Sequence, residues 1–390
     1  MQKKYLYLIT SAHMINDSCQ SVLPALLPLF ILSYGLSLEE AGILIFANTA
    51  LSSLLQPLLG YFSDKLSEPR LIALGTLLSA CSTGMMGIVD SFPALIACST
   101  MSGVGSAVFH PEAGKIVNRL SGNAKGKSMG TFAIGGSAGF AIGPVIAATI
   151  AYTIGPIGLM GFTIVGALMT ILLFVLMPRI EAFARTLQQE VAASTKNAVE
   201  KVVTNDWKSF ALLFLVIVAQ SINFRVVNAF IPVFWIKELG QSPEAGSFAL
   251  TVFFSIGIVM TYVGGIWADR IGPNRLIRYT MLLWLPATII FPQSTTLWMA
   301  YLAISIIGVA KALTYSPMVV LGQTYLAKSV GFASGITFGL SMTIGGMVAP
   351  LVGKLADMYD LPTALLVLTP CMLLGVIGSY LLPIPKKEEQ

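Results

Sequence analysis

The chain has 390 residues, of which 55% are hydrophobic and only 11% carry a charge, and its mean hydropathy is +0.81. A soluble globular domain has about 25% charged residues, so this composition excludes a soluble protein and predicts one that crosses a membrane many times. The net charge of +5 does not indicate nucleic-acid binding, because the basic residues are distributed along the chain as membrane topology requires.

Long apolar segments predict twelve membrane-spanning helices. A helix rises about 1.5 Å per residue and the hydrocarbon core is about 30 Å thick, so roughly 20 residues cross it. The first segment lacks the small-residue cleavage site of a signal peptide and is expected to remain as a span. The predicted spans, numbered one to twelve in chain order, are 5–33, 40–62, 71–89, 93–117, 128–152, 157–177, 208–236, 244–268, 275–292, 296–320, 331–356 and 361–382.

The positions of lysine and arginine predict the orientation. Of the 23 basic residues, 19 lie in the termini and loops on the N-terminal side of the membrane. Lys237 and Lys354 lie on the other side, and Arg225 and Lys311 lie within spans. Cytoplasmic loops carry the excess of positive charge, so we expect both termini in the cytoplasm and the protein in the cytoplasmic membrane.

Span one contains a stripe of polar residues. His13, Asp17 and Gln20 follow one another at i, i+4 and i+7, so they share one helical face, and Asn16 precedes the aspartate. Asp17 lies roughly 18 Å along the helix from Tyr5, near the middle of the bilayer. An ionisable group there costs about 3 kcal/mol or more unless it meets a cavity or a partner. The stripe is predicted to line a substrate or proton path, or to lock helices together.

Span four supplies a second histidine and a second carboxylate. His110 and Glu112 lie near its end, and His13 and His110 are the only histidines in the chain. Histidine changes charge near neutral pH, and ionisable residues inside spans often carry protons. The proton-coupling candidates are therefore Asp17, Glu112, His13 and His110. The segment His110-Pro111-Glu112 lacks metal-ligand spacing, so no metal site is predicted.

Two cations lie within the spans of the second half of the chain. A buried cation needs an anionic partner or an aqueous cavity. Arg225 in span seven and Lys311 in span ten could pair with acidic residues of the first half as a gate, or could bind an anionic substrate. The candidate residues for a substrate cavity are Asn16, Gln20, Arg225, Asn228, Lys311 and Tyr315.

The two halves of the sequence repeat. The segment 60–65 after span two corresponds to 265–270 after span eight, and Phe132 to Pro144 corresponds to Phe338 to Pro350. Two parallel six-helix repeats with a central site are typical of secondary transporters. The predicted organisation is an N-terminal six-helix bundle (1–177), a cytoplasmic linker that could form an amphipathic helix (178–207), and a C-terminal six-helix bundle (208–390).

The repeated loop resembles the signature of the major facilitator superfamily. Its two copies read Gly60-x-x-x-Asp64-Lys65-x-Ser67-x-x-Arg70 and Gly265-x-x-x-Asp269-Arg270-x-Gly272-x-x-Arg275. The resemblance implies an all-α membrane protein with twelve transmembrane helices in two pseudo-symmetric bundles, and a monomer. It also implies that Asp64 faces the start of span eleven near Gly331 and Asp269 the start of span five near Ser128, where helix dipoles favour an anion. Conformational gating is thereby assigned to Gly60, Asp64, Arg70, Gly265, Asp269 and Arg270.

Span five contains a further motif. Gly139-Phe140-Ala141-Ile142-Gly143-Pro144 is similar to the antiporter motif of exporters in this superfamily, which adds Gly139, Gly143 and Pro144 to the gating candidates; a packing face of small residues is the alternative. The N-terminal half resembles the fosmidomycin-resistance branch of drug efflux proteins. That resemblance is carried by Ser11-Ala12-His13-x-x-Asn16-Asp17-x-x-Gln20-Ser21, Gln56-Pro57-x-x-Gly60-Tyr61 and Gly103-x-Gly105-Ser106-x-Val108-Phe109-His110-Pro111-Glu112.

The leading functional hypothesis is proton-coupled efflux, by antiport, of a small molecule or drug through alternating access. The alternatives are proton-coupled uptake of an organic anion by symport, export of a metal chelate, and a non-transporting membrane sensor. No nucleophile or metalloprotease motif such as G-x-S-x-G or H-E-x-x-H accompanies the polar residues, so an enzyme is not predicted. The expected partners are a small-molecule substrate, protons and the lipid bilayer, with no cofactor, no metal and no nucleic acid.

Overall fold

The computed structural model describes residues 2–66, 68–121, 125–194, 204–329, 333, 336–337 and 341–383, with side chains for most of them. Over these ranges the chain is helical apart from short connections and one isolated bridge between Asn205 and Leu326. The helices that the apolar segments predicted, and the all-α fold that the family resemblance implied, are therefore confirmed.

Six α-helices and one short 3-10 helix form the first half of the chain, and they match predicted spans one to six. The 3-10 helix directly precedes α6. The bounds are α1 Gln2–Tyr34, α2 Leu38–Leu66, α3 Arg70–Met85, α4 Phe92–Leu120, α5 Lys125–Thr153, the 3-10 helix Pro156–Leu159, and α6 Met160–Ser194.

Seven α-helices follow in the described part of the second half. The twelfth predicted span is built from two of them, α12 and α13, separated at Val367, and the first residues of predicted span eleven lie largely outside the described residues. The bounds are α7 Trp207–Lys237, α8 Pro243–Ile271, α9 Pro273–Ile290, α10 Leu297–Tyr325, α11 Ser341–Met358, α12 Leu361–Leu366 and α13 Leu368–Leu381.

Length and hydropathy mark these helices as membrane spans. Among the described residues, nine helical segments are long and apolar enough to cross a membrane, and Arg70–Met85 is a shorter apolar helix. Many apolar side chains on these helices are exposed, including Ile164, Leu168 and Val175 on α6. An apolar face of this kind requires a hydrocarbon surrounding, since it would be unfavourable in water.

The contacts group the chain into two compact units. Unit 1 contains residues 1–29 and 47–201, and unit 2 contains residues 30–46 and 202–390. The end of α1 and the beginning of α2 thus belong with the second half of the chain. In unit 1, α6 does not end at residue 177, where span six was predicted to end, but continues to Ser194. The continuation buries Ile180 and Ala184 in the core of the unit.

The core of unit 1 fixes the rotation of α1. Leu6, Ile9 and Ala12 are buried in one cluster with side chains of α3, α4, α5 and α6, among them Ile72 and Phe109. In a hydrocarbon surrounding, such a cluster is held together by van der Waals packing between the helices. Because the apolar residues of α1 are held in this way, the directions of its polar residues are set as well.

Candidate functional site

Three of the four proton-coupling candidates meet in unit 1. The Nε2 atom of His13 lies 3.1 Å from Oδ2 of Asp17, and Nε2 of His110 lies 3.5 Å from Oδ1 of the same carboxylate. The side chains of His13 and Asp17 are 9% and 7% exposed, whereas that of His110 is 31% exposed. These three residues, here named the His–Asp–His cluster, join α1 to α4.

Backbone carbonyls fix which nitrogen of each histidine carries hydrogen. Nδ1 of His13 lies 2.8 Å from the carbonyl oxygen of Phe132, and Nδ1 of His110 lies 2.8 Å from the carbonyl oxygen of Ser106. A carbonyl can only accept, so both Nδ1 atoms must donate. Each Nε2 atom therefore points either a lone pair or an additional proton at Asp17. A lone pair facing an ionised carboxylate is repulsive, so the geometry suits a cluster that holds at least one shared proton.

Asn16 connects the cluster to a third helix, α3, and again to α4. Its Nδ2 atom donates to Oδ1 of Asp17 at 3.0 Å and to Oγ of Ser106 at 3.4 Å. Its Oδ1 atom accepts from Oγ of Ser79 on α3 at 3.0 Å. Gln20 extends the network through its Nε2 atom, which lies 3.1 Å from both oxygens of Ser102. The polar stripe thus ties α1 to α3 and α4 as well as orienting the aspartate.

The three serines of this network were not among the predicted site residues. A single serine in an apolar helix is common, and its sequence position gives no sign of the partner that its hydroxyl meets. Gln20 and Asn16 were predicted to line a substrate cavity. In the structure they make hydrogen bonds within unit 1, and Asn16 is fully buried.

Aromatic rings cover one side of the cluster. The His13 ring stacks on Phe132 with centroids 4.0 Å apart and an interplanar angle of 20°, and the ring of Phe109 lies 5.7 Å away. Both phenylalanines are buried. They keep water from this side of the imidazole, which strengthens the electrostatic interactions of the aspartate.

Glycines of α5 bring that helix against the cluster. A Cβ atom on Gly136 would lie 2.5 Å from Cε1 of His13 and 2.6 Å from Oδ2 of Asp17, so a side chain does not fit without displacement. The predicted motif residue Gly143 packs in the same way, since its Cβ would lie 2.7 Å from the carbonyl oxygen of Ser18. Gly139 likewise contacts the backbone of α1, and Pro144 lies inside α5. Gly136 was not among the predicted site residues.

Glu112, the fourth proton-coupling candidate, lies apart from the cluster. Its side chain is buried, and Oε1 accepts from the backbone N–H of Glu68 at 3.4 Å. Its other oxygen has no hydrogen-bond partner among the described residues. Glu112 therefore interacts with the connection between α2 and α3, although only two residues separate it from His110.

In unit 2 the predicted cavity residues lie on α7 and α10. Arg225 and Lys311 are partly exposed. The Nζ atom of Lys311 lies 5.6 Å from the ring centroid of Phe224. Asn228 is buried, whereas Tyr315 on α10 is 43% exposed.

The signature loops are described only in part. Gly60 and Asp64 lie in the helical backbone of α2, but their side-chain environment and Gly331 lie outside the described residues. The Nε atom of Arg70 lies 3.9 Å from the carboxylate of Glu68, and both side chains are more than half exposed. Gly265, Asp269 and Arg270 lie near the end of α8, where the two charged residues are exposed. The gating roles of these residues remain predictions.

The cluster also has the donor types of a metal site. Within the described part of the chain, the ligand atoms of His13, Asp17 and His110 lie within 4.8 Å of one another. A carbonyl that accepts from the second ring nitrogen is also typical of metal-bound histidine. The separations of 3.1 and 3.5 Å between Nε2 and carboxylate oxygens are equally those of hydrogen-bonded partners, so the prediction of no metal site stays a prediction.

The chain belongs to the major facilitator superfamily. The model of that family matches residues 7–350 and, in a second match, residues 213–390. This match confirms the family and the fold that the repeated loop predicted. Members of this family are multi-pass membrane transporters, so the protein is a transporter rather than an enzyme.

The relatives of known sequence include transporters named for drug resistance. The chain is 29% identical over 385 residues to the uncharacterized MFS-type transporter YfnC of Bacillus subtilis, a match that covers 98% of this chain and 93% of the relative. It is 27% identical, with the same coverage, to the fosmidomycin resistance protein of Escherichia coli. It is 20% identical over 378 residues to the quinolone resistance protein NorA of Staphylococcus aureus, covering 92% of this chain and 91% of NorA.

Solved structures share the fold at lower identity. A bacterial homologue of the human lysosomal transporter Spinster, in an inward-facing and occupied conformation, superposes with a TM-score of 0.76 at 14% identity, covering 97% of this chain and 96% of that chain. A mutant of the nucleoside transporter NupG superposes with a TM-score of 0.72 at 14% identity, covering 97% and 99%. These likenesses establish the fold of the chain.

Proposed function

We propose that the protein exports a small molecule or drug in exchange for protons, and that the His–Asp–His cluster is the proton-coupling site. The observation that carries the proposal is the convergence of two imidazole Nε2 atoms on one buried carboxylate. The resistance proteins among its relatives support the direction of transport. The distribution of lysine and arginine supports a position in the cytoplasmic membrane with both termini in the cytoplasm.

Protonation of this cluster changes the packing energy of α1. When the shared proton leaves, an ionised Asp17 faces two imidazole lone pairs in a site with little water. The resulting repulsion favours a state in which α1 packs differently against α4 and α5. Exchange of substrate for protons requires only that the two ligands favour different conformations. His110, the most exposed of the three, is the entry point for the proton, and His13 holds Asp17 in place.

Transport by proteoliposomes tests this function. Vesicles that contain the purified protein and an acidic interior are given fosmidomycin or norfloxacin outside, and uptake is followed with time. An antiporter accumulates substrate as protons leave. Asp17→Asn keeps the size of the side chain but cannot bind the proton, so accumulation driven by the pH gradient should disappear, while exchange of substrate across membranes without a gradient persists.

A surface carboxylate provides the matched control. Asp90 lies in the exposed connection between α3 and α4, and Asp90→Asn should transport as the unaltered protein does. If Asp17→Asn also accumulates substrate normally under the gradient, the His–Asp–His cluster is not the coupling site. If neither compound is accumulated by any variant, the screen extends to other small molecules with the same two substitutions.

Uptake by symport is the second candidate function. It is favoured by the two cations of unit 2, Arg225 and Lys311, which suit a solute that cells import as an anion. The proton site described above serves either direction. Reversal of the gradient separates the two, because a symporter accumulates external substrate when the outside is acidic and an antiporter does so when the inside is acidic.

A further inference from the structure

The His–Asp–His cluster brings three electron-pair donors to one place. The ligand atoms of His13, Asp17 and His110 lie within 4.8 Å of one another, and the two Nε2 atoms lie 3.1 and 3.5 Å from the carboxylate oxygens that they face. In a tetrahedral site with bonds of about 2.1 Å to nitrogen or oxygen, neighbouring ligand atoms are about 3.4 Å apart. A small contraction of the cluster therefore gives it the spacing of a site for one divalent ion.

Each of the three side chains is oriented by a further hydrogen bond. The Nδ1 atoms of His13 and His110 donate to backbone carbonyls at 2.8 Å, which leaves Nε2 of each ring to face the carboxylate. Nδ2 of Asn16 donates to Oδ1 of Asp17 at 3.0 Å. Metal-bound histidine almost always donates from its other ring nitrogen, and metal-bound carboxylates are hydrogen-bonded in turn. The surroundings of the cluster thus hold its side chains as those of a metal site do.

The cluster is closed on one side and accessible on another. Phe132 and Gly136 of α5 lie directly against the His13 ring, whereas the side chain of His110 is 31% exposed. Three protein ligands and one accessible position are typical of a metal ion that also binds water or another small ligand. An ion and its fourth ligand can therefore reach the cluster from the side of His110.

The three side chains come from two helices. His13 and Asp17 lie one turn apart on α1, and His110 lies on α4. The prediction of no metal site considered only the segment His110-Pro111-Glu112, which lacks ligand spacing. Spacing within one helix does not reveal a ligand that a second helix supplies, and here the packing of α1 against α4 supplies it.

The types of ligand atom indicate the class of ion. Two imidazoles and one carboxylate suit Zn²⁺ and other divalent ions of the first transition series. Mg²⁺ and Ca²⁺ are instead bound by oxygen ligands. The cluster should therefore select a transition-metal ion over the more abundant Mg²⁺.

We propose that the His–Asp–His cluster is also a binding site for a divalent transition-metal ion such as Zn²⁺, held by Nε2 of both histidines and by the Asp17 carboxylate. Such an ion joins α1 to α4. Because the proposed transport cycle requires α1 to repack against α4, the bound ion should stop that cycle. The binding site goes beyond the proposed function and is measured without substrate or gradient, whereas the effect on transport rests on the proposed function.

Calorimetry on the purified full-length protein tests the site. The protein carries no polyhistidine tag, is placed in nanodiscs of phosphatidylcholine so that no anionic lipid competes for the ion, and is titrated with Zn²⁺ in excess Mg²⁺. One ion should bind per chain. His110→Gln should weaken binding at least about tenfold, since even the loss of a hydrogen-bond partner of a ligand costs about 10–100-fold.

Glu112→Gln is the matched control on the same helix. It neutralises a buried carboxyl that lies two residues from His110 and contacts the α2–α3 connection instead of the cluster. Its affinity for Zn²⁺ should equal that of the unaltered protein. Equal affinities of all three proteins, or no binding of Zn²⁺ to any of them, would overturn the proposal.

Cobalt identifies the ligands directly and does not depend on loss of binding. Co²⁺ absorbs visible light when bound in place of Zn²⁺, and a thiolate ligand adds a charge-transfer band in the near ultraviolet. Asp17→Cys exchanges the carboxylate for a thiolate, which also binds these ions. The near-ultraviolet band should therefore appear with Asp17→Cys and be absent from the unaltered protein. Bound Co²⁺ without this band would exclude residue 17 as a ligand.

Proteoliposomes test the effect on transport. Saturating Zn²⁺ should stop accumulation driven by the pH gradient, and a chelator should restore it. Accumulation that continues with Zn²⁺ bound would show that the ion does not lock α1 to α4. If the protein binds no Zn²⁺ but transports, the metal site is excluded and the proposed function stands. If it binds Zn²⁺ but shows no proton-driven transport, the proposed function fails and the metal site stands.

Discussion

At the scale of single residues, Gly136 shows how strictly the His–Asp–His cluster is built. There is no room for a side chain at this position, because a Cβ atom would lie 2.5 Å from the His13 ring and 2.6 Å from the Asp17 carboxylate. The contact sets how closely α5 approaches α1, and it places the Phe132 carbonyl, one turn earlier on α5, at the Nδ1 atom of His13. A glycine with no chemistry of its own thus orients a histidine.

We expect Gly136→Ala to disturb the cluster. Overpacking of this kind reduces the free energy of unfolding by about 1–3 kcal/mol, and the displaced α5 should lengthen the bond between His13 and Phe132. Transport driven by a pH gradient should fall with it. The measurements are thermal unfolding in detergent and accumulation of substrate by proteoliposomes.

Gly130 provides the matched control on the same helix. A Cβ at this position would meet no heavy atom of the described residues within 4 Å, so Gly130→Ala should unfold at the same temperature or slightly higher, since alanine favours helix. Equal behaviour of the two alanine variants would show that α5 does not constrain the cluster.

At the scale of helices, the contact between α2 and α11 depends on a capping carboxylate. Asp357 on α11 accepts the backbone N–H groups of Leu38 at 2.9 Å and Glu39 at 2.8 Å, the first residues of α2. Close to this cap, a Cβ on Gly42 would lie 2.6 Å from the backbone of Ala349. A carboxylate at a helix N-terminus satisfies donors that the helix leaves open and interacts favourably with its dipole. The cap is one of the contacts that hold the beginning of α2 to α11.

Removal of the cap should loosen the first turn of α2. We expect Asp357→Ala to reduce the free energy of unfolding by about 1 kcal/mol and to speed deuterium exchange of the amides of Leu38 and Glu39. Exchange measured by mass spectrometry on the detergent-solubilised protein checks this.

Lys354, which also lies on α11, tests whether an exposed ion pair is enough to hold the first turn of α2. Nζ of Lys354 lies 3.8 Å from the carboxylate of Glu39, and both side chains are largely exposed. An exposed pair contributes at most about 1 kcal/mol and often nothing measurable, so Lys354→Gln should leave exchange in α2 almost unchanged. Exchange that rises equally in both variants would exclude Asp357 as the specific cap.

The helices themselves follow from hydropathy, but their ends do not. Apolar length predicted the helices that the structure describes, because a lipid-exposed backbone must make its hydrogen bonds within the helix. It did not predict that α6 would continue to Ser194. Beyond the apolar segment, the helix persists because Ile180 and Ala184 find a buried place in unit 1, and that place is created by other helices.

At the scale of the whole molecule, the charge distribution leads to a prediction about topology. Asp90 lies between α3 and α4, and Glu68 lies between α2 and α3; both side chains are exposed. With both termini in the cytoplasm, the connection between α3 and α4, which contains Asp90, faces outward. The connection between α2 and α3, which contains Glu68, faces the cytoplasm. Single cysteines are introduced at the two positions in a background that lacks the four native cysteines, and intact cells are treated with a membrane-impermeant maleimide.

The cysteine of Asp90→Cys should react in intact cells, whereas that of Glu68→Cys should react only after the cells are opened. The side chains at both positions are exposed, so opening the cells should make both cysteines reactive. The opposite pattern would place the termini outside and would remove the charge-distribution argument from the proposed function.

The sequence by itself determined that this chain is a helical membrane transporter of two repeated halves. Hydropathy and the spacing of His13 and Asp17 suffice for the helices and their polar face, because these depend on the composition and the period of single helices. The two signature loops indicate a transporter through their resemblance to a family. The partners of those residues came only from the tertiary structure. His110 reaches Asp17 while Glu112, two residues later, reaches Glu68, and Phe132 and Gly136 complete the cluster from α5. Helical period fixes which residues share a face, but the rotation and separation of packed helices decide what that face meets.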